Sequence, residues 1–133
     1  PYKTAAELVA FAKANPGKVA FASAGPGTTT HLGSELLKKE AGIDMTHIPY
    51  KGAAPAVSEV VAGQVQGMFV DLPVISPHVR SATLRALAVA SPQRSAYFPD
   101  VPTMKESGYP GIEVSNYYSL LLPAKTPRDI VMK

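Results

Sequence analysis

Apolar positions in this chain switch between helical and strand spacing every ten to fifteen residues, with glycine or proline at most of the switches. Lys3-Thr4-Ala5-Ala6-Glu7 has the form of a capping box, with Thr4 as N-cap and Glu7 at N3. Leu8, Phe11 and Ala12 then share one helical face, and Asn15-Pro16-Gly17 stops that helix. Val19 to Ser23 (V-A-F-A-S) suits a strand covered on both faces. A small-residue turn follows, and Leu32, Leu36 and Leu37 mark a helix that ends at Ala41-Gly42. Met45 to Pro49 alternates weakly and reads as the next strand. Tyr50-Lys51-Gly52 is a loop off its end, and Pro55 opens a helix through Val57, Val60 and Val61 to Gly63.

The second half is predicted to continue the alternation. Val65 to Val70 reads as a third strand ending at Asp71, Leu72-Pro73 turns into a helix over Val74 to Arg80, and Thr83 to Ala90 reads as a fourth strand. Ser91 to Pro102 is rich in proline and poor in apolar residues, so it is expected to be a surface loop. Met104 to Ser107 is expected to form one helical turn. Val114 to Leu122 reads as a last strand, and Thr126 with Pro127 resembles a helix start with Thr126 as N-cap. Strands alternating with helices give an α/β fold with a mostly parallel sheet and helices on both faces. In such sheets ligands gather at the carboxyl ends of the strands, which here carry Ser23 to Thr30, Tyr50 to Ala53 and Asp71.

The totals narrow the chemistry. A chain of 133 residues with 46% hydrophobic content is large enough for one domain with its own core. Its net charge of +3 is spread along both halves, too weak and too even for the clustered basic face that nucleic acid requires. There is no cysteine, which excludes disulfides and cysteine-based metal or redox sites. No apolar run is long enough to span a bilayer, and nothing at the start has the pattern of a signal peptide. The ends have the look of cuts, and any export signal is expected upstream of Pro1.

Ser23, Ala24, Gly25, Gly27, Thr28, Thr29, Thr30 and His31 form the first candidate site. Glycines allow close backbone approach, and one of Thr28, Thr29 and Thr30 supplies the N-cap. Free N–H groups and hydroxyls at a helix N-terminus suit an anion such as a carboxylate. Without more to go on, the same residues read first as a plain strand–helix turn, since glycine turns are common. No Gly-Lys-Ser/Thr follows, as a phosphate loop requires, and Thr30 stands where a dinucleotide fingerprint has its third glycine. Ser23 near His31 invites a hydrolase reading, but Phe21 occupies the first glycine position of a nucleophile elbow. No acid is obviously placed to orient His31, and His47 and His78 stand isolated in sequence. The histidines show no metal-ligand spacing, and no cofactor is expected. Asp71 is either a helix cap or a cleft residue, where it penalises a second carboxylate. Tyr50 and Lys51 are further candidates, though lone lysines are usually solvated. Tyr117 and Tyr118 read as packing.

A family resemblance sits on N-P-G-K-V at Asn15, S-A-G-P-G-T-T-T-H-L at Ser23 and H-I-P-Y-K-G-A-A-P-A at His47. It continues through G-Q-V-Q-G-M-F at Gly63, L-R-A-L-A-V at Leu84, F-P-D-V-P-T at Phe98 and E-S-G-Y-P-G at Glu106. In that order these motifs resemble the tripartite tricarboxylate transporter receptors, the Bug or TctC-type periplasmic solute-binding proteins. The resemblance implies a domain of the type II periplasmic-binding-protein kind. Residues 1–133 would then form the second domain of a two-domain receptor, with 1–3 and 124–133 connecting to a first domain not included here. It further implies a small carboxylate held at the Ser23–Thr30 turn, Asp71 facing the same cleft, hinge closure, periplasmic location, permease subunits as partners and no catalysis. The rival from another class is an α/β enzyme fragment using the 25–30 turn as an oxyanion or phosphate site. A third expectation is that an isolated domain with uncovered strand edges dimerises or swaps.

Overall fold

The computed structural model describes residues 2 to 132. Pro1 and Lys133, at the outer ends of the two expected connecting segments, lie outside the described residues. In chain order the elements are α1 (Ala5–Ala14), β1 (Ala20–Ser23), α2 (Thr29–Ala41), β2 (Thr46–Pro49), α3 (Ala53–Val61), β3 (Gly67–Met68), α4 (Leu72–Arg80) and α5 (Arg128–Val131). The first five lie where periodicity predicts them. Thr4 caps α1 by accepting the Glu7 amide at 3.1 Å, while the Glu7 carboxylate reaches one residue further back, to the Lys3 amide at 2.7 Å. Gly42 closes α2 in the left-handed conformation at φ 61°, which glycine adopts without a Cβ penalty.

The sheet is parallel with β1 in the middle and the order β2-β1-β3. Alternation along β1 divides its side chains between two cores. Val19 and Phe21 join Leu8, Val9 and Ala12 of α1 and Leu37 and Ala41 of α2, whereas Ala22 packs with Ala56 of α3 and Val65. Helices thus cover both faces, as expected of an α/β fold. Opposite Phe21 in the register stands Gly67, where a Cβ would come within 2.9 Å of the Phe21 ring. Glycine there lets the ring lie across β3. Among the described residues no helix is long and apolar enough to cross a membrane.

Three expectations fail, for one reason. The third strand, expected over Val65 to Val70, pairs only at Gly67–Met68. The segment Thr83 to Ala90 makes no ladder and touches strand geometry only at one parallel bridge, Val89 to Thr103. Val114 to Leu122 is not a strand: Val114 donates to the Ala90 carbonyl at 2.8 Å, but Tyr117, Tyr118, Leu120 and Leu121 are exposed. A strand exists only where a neighbour satisfies its backbone. Between β3 and residues 84–90 lies an open apolar groove of about 880 Å³, lined by Met68, Phe69, Leu84, Ala86 and Ala88, instead of a pairing. A smaller correction concerns the last helix, whose N-cap is Pro127. Thr126 instead donates its hydroxyl to the Pro123 carbonyl at 2.8 Å. Met104 to Ser107 forms the expected turn, with the Ser107 amide donating to the Thr103 carbonyl at 3.0 Å.

Candidate functional site

The loop from Ser23 to Thr28 leaves the carboxyl end of β1 and enters α2. Gly25 at φ 135° and Gly27 at φ 78° take conformations that side-chain-bearing residues rarely adopt. Most polar groups of the loop are spent inside it. The Ala24 amide donates to Thr30 Oγ1 at 2.9 Å, and Thr30 lies 2.8 Å from Thr28 Oγ1, which donates to the Gly25 carbonyl at 2.7 Å. This is one chain of donors, so both hydroxyl protons are committed. The Gly25 amide donates to Ser23 Oγ at 3.2 Å and the Gly27 amide to His31 Nδ1 at 3.1 Å.

What is left free lies one step further along. Thr28 is the N-cap of α2, but its side chain caps nothing. Among the described residues the first-turn amides of Thr29, Thr30 and His31 and the Thr29 hydroxyl have no hydrogen-bond partner. These donors head a helix of thirteen residues, where the dipole also favours an anion.

The tyrosine loop is tied alongside. The Tyr50 amide donates to the Ser23 carbonyl at 2.9 Å and the Gly52 amide to the Ala24 carbonyl at 3.1 Å. Tyr50 packs on the Ala22–Ala56–Val65 core, and burial, then Glu59, raises its phenol above the ordinary value. Lys51 is exposed. Asp71 follows β3 at the N-cap of α4 without capping it. Its carboxylate accepts the Tyr118 hydroxyl at 2.6 Å and Asn116 Nδ2 at 3.1 Å, which raises the Tyr118 phenol. The side-chain cap reading of Asp71 therefore gives way to a carboxylate engaged by the exiting chain.

His47, isolated in sequence, is central in space. It stands opposite Phe21 in the β1–β2 register, so it faces α2 together with Ser23. Its Nε2 lies 2.6 Å from the fully buried Ser23 Oγ, and its ring stacks on His31 with centroids 4.0 Å apart and planes at 17°. Glu35 Oε1 lies 3.8 Å from His31 Nε2, one helical turn on, beyond hydrogen-bond reach. Alternation carries the signal for His47, since Met45 and His47 occupy the face that Val19, Phe21 and Ser23 share. The Ser–His contact has the distance of a nucleophile–base pair, but the hydroxyl has no exposed surface to offer a substrate. Among the described residues no cluster of histidine and acidic groups could hold a metal ion.

Residues 1–133 match the tripartite tricarboxylate transporter family receptor (TctC) family. The chain belongs to this family. BugT of Bordetella pertussis is 42% identical over 125 residues, covering 94% of this chain and 38% of BugT. A protein encoded in the tcbD–tcbE intergenic region of Pseudomonas sp. strain P51 is 40% identical over 131 residues, covering 98% of this chain and 39% of its own length. The chain thus spans about two fifths of these relatives. Among solved structures, Rpa4515 of R. palustris, determined with adipate, superposes with a TM-score of 0.93 at 32% identity. That match covers 99% of this chain and 44% of the other. MatC of Rhodopseudomonas palustris, with bound malate, superposes at 0.81 with 31% identity over 86% of this chain and 39% of its own. Members of the family are periplasmic solute-binding proteins, and some take carboxylates.

Proposed function

We propose that residues 1–133 form the second domain of a periplasmic receptor that binds a small carboxylate and passes it, unaltered, to permease subunits of a tripartite tricarboxylate-type transporter. The observation carrying this reading is the set of free donors at Thr29, Thr30 and His31, held at the carboxyl edge of the sheet by a loop most of whose other polar groups are already bonded. Adipate and malate in two relatives support the ligand class. Segments 1–3 and 124–133 connect to the first domain, whose closure completes the cleft. Ser23, Ala24, Gly25, Gly27, Thr28 and Thr30 shape the turn. Tyr50 and Lys51 form its wall, and Asp71 sets the wall's charge after β3.

A charge-assisted hydrogen bond is worth about 1.5–3 kcal/mol, or roughly tenfold to a hundredfold in affinity. Calorimetry with adipate and malate on the full-length receptor is expected to show Thr29→Val binding at least about tenfold more weakly than wild type. Equal affinity in the two proteins would remove the Thr29 hydroxyl from the site.

A further inference from the structure

We propose that His31 is a positioning residue that clamps the 24–28 loop at Gly27, and that this clamp opens when its imidazole takes up a proton. The inference rests on the carboxylate reading only for its effect on ligand. The clamp itself is a property of the loop.

The Gly27 amide ends on an imidazole lone pair, and the Gly25 amide on the Ser23 hydroxyl beside the second imidazole. The Gly27 amide donates directly to His31 Nδ1 at 3.1 Å. A nitrogen that accepts this bond carries no proton, so neutral His31 holds its hydrogen on Nε2, the atom nearest Glu35. The Gly25 amide donates to Ser23 Oγ at 3.2 Å, and that hydroxyl lies 2.6 Å from His47 Nε2. A hydroxyl has a second lone pair, so whether it donates to His47 Nε2 or accepts from it follows the imidazole's tautomer. Both glycines sit at positive φ, so the loop keeps this shape through these bonds and not through side-chain bulk.

Protonation acts unequally on the two sides of the loop. A proton on His31 Nδ1 faces the Gly27 amide, donor against donor, and the loop or the ring must move. A proton on His47 Nε2 is donated to the Ser23 hydroxyl, which still accepts the Gly25 amide and gives its own proton to the Gly25 carbonyl at 3.3 Å, so this side of the loop is retained. The stack adds a second constraint, because two imidazolium rings 4.0 Å apart repel. The charged neighbours are Glu35 and Lys38, both on α2 and 3.0 Å from each other, with Glu35 favouring and Lys38 opposing a charge on His47. The free donors of the candidate site begin at Thr29, two residues beyond Gly27, so movement of the loop reaches them directly.

Nitrogen-15 spectra of the full-length receptor between about pH 8 and 5 test the clamp without any ligand. The Gly27 amide is expected to shift with the same midpoint as the His31 ring. In His31→Asn, whose Oδ1 accepts but takes no proton, the Gly27 step is expected to vanish. In His31→Leu, Gly27 should sit near its acid position throughout. A Gly27 amide that stays still while His31 titrates would overturn the clamp. With adipate as probe, wild-type affinity is expected to fall at least about threefold more than that of His31→Asn from pH 8 to 6, a comparison in which the ligand's own ionisation cancels. Parallel losses in the two proteins would overturn the link to binding. If adipate bound at no pH, adipate would be excluded as the ligand, and the clamp would be decided by the Gly27 amide alone.

Discussion

Gly33 on α2 faces the ring of Phe69 so closely that a Cβ built on the glycine would lie 2.8 Å from Phe69 Cγ. Phe69 in turn tilts against Phe21, with centroids 6.3 Å apart at 50°. Two glycines, Gly33 and Gly67, thus let a pair of aromatic rings fill the space between the first turns of α2 and the end of β3. That packing sets where the helix N-terminus, and with it the free amides, stands relative to the sheet.

Gly33→Ala therefore sets two effects against each other. Alanine favours a helix interior by about 1 kcal/mol over glycine. The clash with a ring atom close to the backbone forces α2 outward, and overpacking of this kind costs about 1–3 kcal/mol. The net effect is expected to be destabilising by up to about 2 kcal/mol, read as a lower urea midpoint at unchanged slope. A higher midpoint would show that Phe69 yields freely.

Most of the first half of the fold is legible in the chain because its signals are local. The capping box at Thr4, the stop at Gly17, the alternation through Phe21 and the glycine at 42 each settle one boundary. Residues 83–90 and 114–122 carry equally good strand residues and form none, because their status depends on a neighbouring strand, which no local pattern reports. The turn from Ser23 to Thr30 is also legible as a site, but not which of its donors remain free. Composition names Thr28, Thr29 and Thr30 alike, and only geometry separates the committed hydroxyls from the uncommitted one at Thr29. His47 is read as isolated in sequence because its partners come through the register with β1 and not through spacing.

His47 also makes stability depend on pH. Burial lowers its pKa below the ordinary imidazole value, as do His31 and Lys38, while Glu35 pulls the other way. Over the interval between the lowered value and the ordinary value near about 6.5, the unfolded chain binds more protons than the folded one. Stability is then fully present above that interval and is lost as pH falls through it. Urea unfolding of the full-length receptor from about pH 8 to 5 is expected to show a decline that His47→Gln reduces. Identical pH profiles for the two proteins would mean that folding leaves the imidazole's affinity for protons unchanged.

Thr103 and Glu106 form a second T-x-x-E box, which holds the turn after the 91–102 loop. The Glu106 amide donates to Thr103 Oγ1 at 3.0 Å and the Thr103 amide to Glu106 Oε2 at 2.8 Å. Arg94 reaches back from the loop, donating from Nε to Glu106 Oε2 at 2.9 Å and from Nη1 to the Pro99 carbonyl at 3.1 Å. The Arg94 bond, then the Thr103 amide, lowers the Glu106 carboxyl to about 2. Its contribution is therefore present above the ordinary carboxyl value near about 4.3 and is lost as pH falls toward about 2. The ion pair itself is exposed and screened by salt, so the buried hydroxyl is the more sensitive place to cut. Thr103→Val keeps the shape, removes the acceptor for the Glu106 amide, and is expected to cost about 0.5–2 kcal/mol at neutral pH. Because Val89 bridges Thr103 and Met104 donates to the Val89 carbonyl at 2.8 Å, the loss should speed amide exchange at Met104 as well as at Glu106. Unchanged exchange at both amides would show that the turn is held by its packing and not by its box.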